Sequence, residues 1–257
     1  MATRVKVEGI VLRVLDYGES DRIVTLLTRE RGKVGAFARG ARASKRRFAG
    51  LLEPFTLLAA ELTDRRGDLL GLESASALRA HGGIRSDLAR IAVAGYASEL
   101  AGALIRDAEP HPELFALLAE YLAALDTAPA RPAALRAYEL GALAATGFMP
   151  RLDACASCGA AVAEGRPARF DPSHGGLLCA ACEPLGGGGL PSLSPETVAA
   201  LLRLQRGGLA AAASEPLSPP AGRESREALT RFVEQLLGRR LASRKFLDEV
   251  GPLLAPE

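Results

Sequence analysis

Apolar and polar positions change their period near the end of the first third of the chain. Residues 5–12 and 21–28 mix alternation with β-branched side chains. Residues 33–39, 55–62 and 69–74 repeat the pattern, which predicts five short strands. Arg29-Glu30-Arg31-Gly32 and Arg65-Arg66-Gly67-Asp68 read as tight polar turns, the first with a glycine free to take positive φ. Five strands with no long helix between them fit a small closed barrel such as an OB-fold. An SH3-like barrel or a half-sandwich fits the same periodicity.

From about residue 83 the spacing becomes helical. Ala89, Val93, Tyr96, Leu100 and Leu104 form one stripe behind a cap at Ser86 or Asp87. Leu114, Leu118, Tyr121 and Leu125 mark a second helix after Pro112. Pro132 opens a third, which runs to Gly147 and is stopped by Pro150. Residues 153–183 are loop-rich, and Gly186 to Gly189 read as a connector. Ser194-Pro195-Glu196 caps a helix through Gln205, and residues 222–237 form another that Gly238 ends. The expected class is α+β: a barrel over 1–80, a helical bundle over 81–150 and 190–257, and a cysteine-bearing region over 151–189. No internal repeat at solenoid spacing is present.

Composition narrows the partners. With 48% hydrophobic and 24% charged residues the chain is globular. It has no apolar run of the roughly 18 residues a membrane span needs, and its N-terminus lacks a signal-peptide apolar core, so a cytoplasmic protein is expected. The net charge of +2 hides an asymmetry, because residues 1–80 hold fifteen Lys/Arg against ten Asp/Glu. Arg31, Lys33, Arg39, Arg42, Lys45, Arg46 and Arg47 fall in one stretch without an acid. Cations this dense repel one another, and a polyanion relieves the repulsion; nucleic-acid backbone is the commonest. A solvated loop without a partner is the alternative. Arg239, Arg240, Arg244 and Lys245 form a second cluster, which also complements a helix end.

Cys155-Ala156-Ser157-Cys158 and Cys179-Ala180-Ala181-Cys182 are two Cys-x-x-Cys knuckles that use all 4 cysteines of the chain. Two such knuckles complete a tetrahedral thiolate site suited to Zn²⁺, and with every position filled by sulfur the zinc is structural. A pair of disulfides and a redox dithiol are the competing readings. His174 is a weak fifth donor, and His81 and His111 are expected at the surface. No phosphate loop, nucleophile elbow or zinc-protease helix occurs, so no covalent catalysis is expected. Asp16, Glu8, Glu19 and Asp21 read as turn and surface carboxylates.

Several local sequences carry a family resemblance. Gly9-Ile10-Val11-Leu12, Tyr17-Gly18-Glu19-Ser20-Asp21-Arg22-Ile23-Val24, Arg39-Gly40-Ala41-Arg42, Leu52-Glu53-Pro54-Phe55 and Ser243-Arg244-Lys245-Phe246-Leu247 resemble the RecO family of bacterial DNA repair proteins over essentially the whole chain. Some members of that family lack the cysteines; this chain has both knuckles. The resemblance implies an N-terminal OB-fold, a helical domain and a zinc-binding region. It also implies a nucleoid-associated recombination mediator that binds single- and double-stranded DNA and anneals strands coated with single-strand-binding protein (SSB). Such a mediator works with RecR to load RecA, and participation of RecF is left open. By matching motifs, Lys33, Arg39, Arg42, Lys45, Arg46 and Arg47, then Arg239, Arg240, Arg244 and Lys245, are expected to contact phosphates. Arg136, with Tyr96 and Leu100 as pocket walls, is expected to receive the acidic, apolar tail of SSB. Phe37 and Phe48 are the only aromatics in the basic stretch, so the expected grip is on backbone and not on bases. A zinc-stabilised adaptor that docks acidic tails and touches DNA incidentally is the rival reading. A sequence-specific regulator is a third, for which no helix-turn-helix pattern is evident.

Overall fold

The computed structural model describes residues 4–44, 47–48, 50–65, 67–162, 165–214 and 216–250. They form two compact units, Met1–Ala128 and Pro129–Glu257. The expected strands are β1 (Arg4–Tyr17), β2 (Asp21–Thr28), β3 (Gly32–Ala38), β4 (Leu57–Thr63) and β5 (Leu70–Arg79). They close in the order β1-β2-β3-β5-β4, with β4 paired back to β1. The closing β3–β5 contact is short and parallel, Ala36 against Leu70 and Phe37 against Gly71. This is the five-stranded Greek-key barrel of an OB-fold. β1 outruns its predicted end because a register shift between Val11 and Arg13 bends it, so one strand pairs with β4 and then with β2. Alternation sends Val34, Ala36 and Ala38 of β3 into a core with Val24, Leu26 and Leu58, and leaves Lys33, Gly35 and Phe37 outward.

Three helices complete the first unit: α1 (Gly82–Arg85), α2 (Leu88–Leu104) and α3 (Pro112–Thr127). Asp87 caps α2 by accepting from the Arg90 amide at 2.8 Å. α2 meets the barrel where Gly102 leaves room for Leu12, whose Cδ1 would lie 3.2 Å from an added Cβ. The Arg29 guanidinium sits 5.0 Å over the ring of Phe115 in α3. These contacts join α1–α3 to the barrel in the first unit, which ends at Ala128.

His81 is not a surface group. It is 2% exposed, adopts φ 49°, and its Nδ1 lies 2.7 Å from the Phe55 carbonyl. The neighbouring Arg85 guanidinium donates to the Pro54 carbonyl at 3.0 Å and to the Thr56 hydroxyl at 2.7 Å. The pair latches the chain where it enters β4. Burial lowers the His81 pKa, outweighing the hydrogen bond to Phe55.

The second unit contains α4 (Pro132–Ala145), β6 (Ala168–Asp171), β7 (Gly176–Leu178), a 3-10 turn (Leu185–Gly189), β8 (Ser192–Leu193), α5 (Pro195–Ser214), α6 (Pro219–Leu237) and α7 (Ala242–Val250). The sheet order is β7-β6-β8. Ser194 caps α5 as predicted, and Glu224 of α6 accepts from the Ser194 amide at 2.7 Å and from the Ser194 hydroxyl at 2.8 Å. α5 continues past Gln205 through a non-helical Gly208. The stretch expected as a basic tail is the amphipathic helix α7, with Arg244, Leu247 and Val250 buried.

Candidate nucleic-acid interface and metal centre

The basic loop after β3 is held to the turn between β1 and β2. Asp21 accepts from the Gly40 amide at 2.7 Å, and the Arg42 amide donates to the Ser20 carbonyl at 2.9 Å. Arg47 donates to the Arg39 carbonyl at 2.9 Å and lies 5.1 Å over the ring of the buried Phe48. Arg39 and Arg47 are exposed, and neither has an acidic partner among the described residues. Arg42 lies 3.6 Å from Asp16, which also holds Arg22 at 3.1 Å. An exposed pair of this kind contributes only about 0–1 kcal/mol, so a phosphate can replace it. Lys45 and Arg46 lie outside the described residues.

Lys33 departs from expectation. Its ammonium donates to the carbonyls of Gly102 at 2.7 Å and Ile105 at 3.1 Å, and lies 3.0 Å from Asp107. It closes the C-terminal end of α2, where a cation complements the helix dipole. With its three donors engaged, it is not a free phosphate ligand.

In the second basic cluster Arg239, Arg240 and Lys245 are exposed, and only Arg244 is drawn inward. Asp248 lies 3.0 Å from Arg226, 2.6 Å from Arg240 and 3.0 Å from Arg244. Arg244 is 3% exposed, so it is a core cation; Lys245 is exposed. Arg239 also has an interaction partner. The residues expected to receive a protein tail are buried as well. Tyr96 and Leu100 are interior positions of α2, and Arg136 of α4 is paired with buried Glu139 at 2.9 Å. A groove in the second unit has the character those residues lack. Leu152, Leu177, Val198 and Leu202 line it, Arg166 and Arg206 flank it, and its volume is about 440 Å³.

The four cysteines come together. Cys155, Cys158, Cys179 and Cys182 place their sulfurs within 4.8 Å of one another, and the Cys158–Cys179 pair is 3.6 Å apart. A tetrahedral zinc centre with Zn–S of about 2.3 Å needs sulfurs roughly 3.8 Å apart, so the donor set fits. Both knuckles turn by backbone bonds, Gly159 N to Cys155 O at 2.9 Å and Cys182 N to Cys179 O at 2.9 Å. Surrounding amides, Cys158 first, pull the Cys155 thiol down to about 6, while its contact with Cys158 pushes the Cys182 thiol up to about 12. Four adjacent thiolates repel unless a cation sits among them. His174 is turned aside, its Nδ1 2.8 Å from Asp171 in the β6–β7 turn.

Closure of the barrel assembles a group that the sequence reading did not single out. Leu15, Ile23 and Phe37 lie side by side across β1, β2 and β3. Tyr17 packs edge-on against Phe37 with centroids 5.8 Å apart, and the Arg65 guanidinium lies 4.9 Å over the Phe37 ring. The available signal was parity: Phe37 alternates with the inward Ala36 and Ala38.

No helix among the described residues is long and apolar enough to cross a membrane. Residues 1–81 match the family model described as Recombination protein O N terminal, and residues 85–245 match the one described as Recombination protein O C terminal. The chain is 69% identical over 255 residues to the DNA repair protein RecO of Anaeromyxobacter sp. (strain K), covering 98% of each chain. It is 48% identical over 246 residues to that of Myxococcus xanthus, covering 95% of this chain and 97% of the relative. Identity to the Geobacter metallireducens protein of the same name is 40% over 247 residues, covering 96% and 98%. With an OB-fold barrel, a helical C-terminal part with a four-cysteine cluster, and two family models that together match residues 1–81 and 85–245, the chain belongs to the Recombination protein O family.

Proposed function

We propose that the chain acts in DNA repair and recombination as a mediator that grips DNA backbone at the basic loop of its barrel. The supporting observation is the pair Arg39 and Arg47, exposed and free of acidic partners among the described residues, on a loop whose Gly40 and Arg42 amides are held by Asp21 and Ser20. Phosphate contacts hold a strand without reading its sequence. Two strands held this way keep their Watson–Crick edges free, so complementary strands can anneal. In the proposed pathway the strands are presented by SSB, and the protein acts with RecR to promote RecA loading, with RecF a further candidate partner. The cysteine cluster would hold a structural Zn²⁺, which supplies folding energy to the second unit and no chemistry.

The test is strand annealing on SSB-coated DNA, read with its salt dependence. Neutralising about six phosphates of a single strand gives a slope of log K against log salt near −4. Reversal of Arg39 and Arg42 to Glu should abolish annealing, and a slope near zero for the unaltered protein would refute the reading. Metal analysis should find one zinc per chain, lost in Cys158→Ser.

A second reading, protein docking, is favoured by the α5 groove. Apolar walls between Arg166 and Arg206 suit an acidic tail with apolar side chains, such as that of SSB. Arg206→Glu should weaken binding of such a tail while DNA affinity stays unchanged.

A further inference from the structure

The outer face of the barrel carries aromatic surface that phosphate contact does not use. Tyr17 is 56% exposed and Leu15 43% exposed, and both lie on the face that bears Phe37. This is the open end of β3. At the other end Lys33 is covered by the end of α2.

Arg65 and Leu69, both between β4 and β5, lie over β3. The Leu69 side chain lies against β3 at Gly35, its Cδ2 2.7 Å from where a Cβ on that residue would sit. The parallel pairing of Phe37 with Gly71 fixes the far side of the same loop. The Arg65 guanidinium is thereby presented above Phe37 with its outer side exposed. A planar cation on an aromatic ring offers a further flat surface, on which a nucleobase stacks well. The charge around it suits an anionic strand: Arg13 is exposed on the same outer face, and Arg39 opens the loop that Asp21, the pairing partner of Tyr17, anchors.

We infer that Tyr17, Phe37 and Arg65 form a stacking site for one unpaired base of a single DNA strand. This rests on the DNA-binding reading above and refines it. The basic loop holds backbone of either form, and the aromatic site prefers single strand because a paired base keeps its faces inside the duplex. Stacking occupies the face of the base and leaves its Watson–Crick edge open, so the site is compatible with annealing.

The experiment compares the full chain and its variants on three probes at one salt concentration. The probes are an oligothymidylate of about 20 nucleotides, an abasic oligomer of the same length, and a duplex. The unaltered protein should bind oligothymidylate about tenfold more tightly than the abasic strand. Tyr17→Ala should remove that advantage, and Tyr17→Phe should restore it. Arg65→Lys keeps the charge and loses the plane, so it should weaken oligothymidylate binding and leave duplex binding within about twofold. Arg65→Lys also decides the matter if Tyr17→Ala fails to fold. Equal affinity of the unaltered protein for thymidylate and abasic strands would overturn the stacking site alone. Failure to bind any probe would instead overturn the DNA reading on which it rests.

Discussion

Residues 39–47 and residues 239–245 look alike as text: each packs several cations into a few positions. Their folded fates differ. In the second cluster the chain continues as α7, which places Asp248 one turn beyond Arg244, and that carboxylate gathers Arg226, Arg240 and Arg244. In the first, the loop leaves β3 without entering a helix, and no acid follows at that spacing. Arg47 is instead fixed through the Arg39 carbonyl and the Phe48 ring, and neither Arg39 nor Arg47 has its charge compensated by an acid among the described residues. A basic run is therefore an anion site only where its own element fails to supply the counter-charge. Density of Lys and Arg is a poor guide without that condition.

The sharpest way to break the comparison is to reverse charges in both places. Arg39→Glu with Arg47→Glu should lower affinity for single-stranded DNA by about two orders of magnitude and make the salt slope shallower by about 1.4. Arg240→Glu with Lys245→Glu should cost less than about threefold, through the general field of the protein alone. Comparable losses from both pairs in a filter-binding titration would erase the distinction.

Next in size is the structural role of the second cluster. Asp248→Ala deprives the buried Arg244 of its carboxylate and should destabilise the second unit by about 3 kcal/mol in urea unfolding, with annealing unchanged under native conditions. A variant as stable as the parent would mean that the cluster is solvated and available to ligands. Lys33 belongs with the structural cations despite its place in the basic stretch. Lys33→Met should lower stability by about 1–2 kcal/mol and leave the salt slope where it was. A shallower slope would return Lys33 to the interface.

The smallest effect concerns acidity. His81 latches the far end of the basic loop, and burial holds its folded pKa below the ordinary value. Below about pH 6.5 the unfolded chain takes up a proton that the folded chain refuses, so stability declines with acidification. It levels off once the pH is below the folded pKa. One such proton contributes at most about 1.4 kcal/mol per pH unit. His81→Gln should flatten the dependence of stability on pH between about pH 7 and 5.5.

Much of this was legible beforehand. Alternation located all five barrel strands, Ser194 caps α5 as expected, Asp87 is the one of the two candidates that caps α2, and the two Cys-x-x-Cys knuckles converge as spacing required. Tail docking on Tyr96, Leu100 and Arg136 fared worse, because a helical stripe states which face is apolar and not what covers it. Lys33 is decided at the same distance: its acceptors come from the end of α2, about 70 residues away in the chain.

By itself, the sequence determined what short-range geometry dictates: strand and helix periods, caps, glycine turns and the sulfur donor set. Each depends on residues within a few positions of one another, where backbone stereochemistry leaves little choice. Only the tertiary structure decided which cations remain unpaired and which aromatic rings meet outside the barrel. Those outcomes depend on Coulombic and packing partners that closure brings together from distant parts of the chain. Arg65 lies over Phe37 because β3 pairs with β5, and Arg39 stays without an acid because no strand among the described residues delivers one.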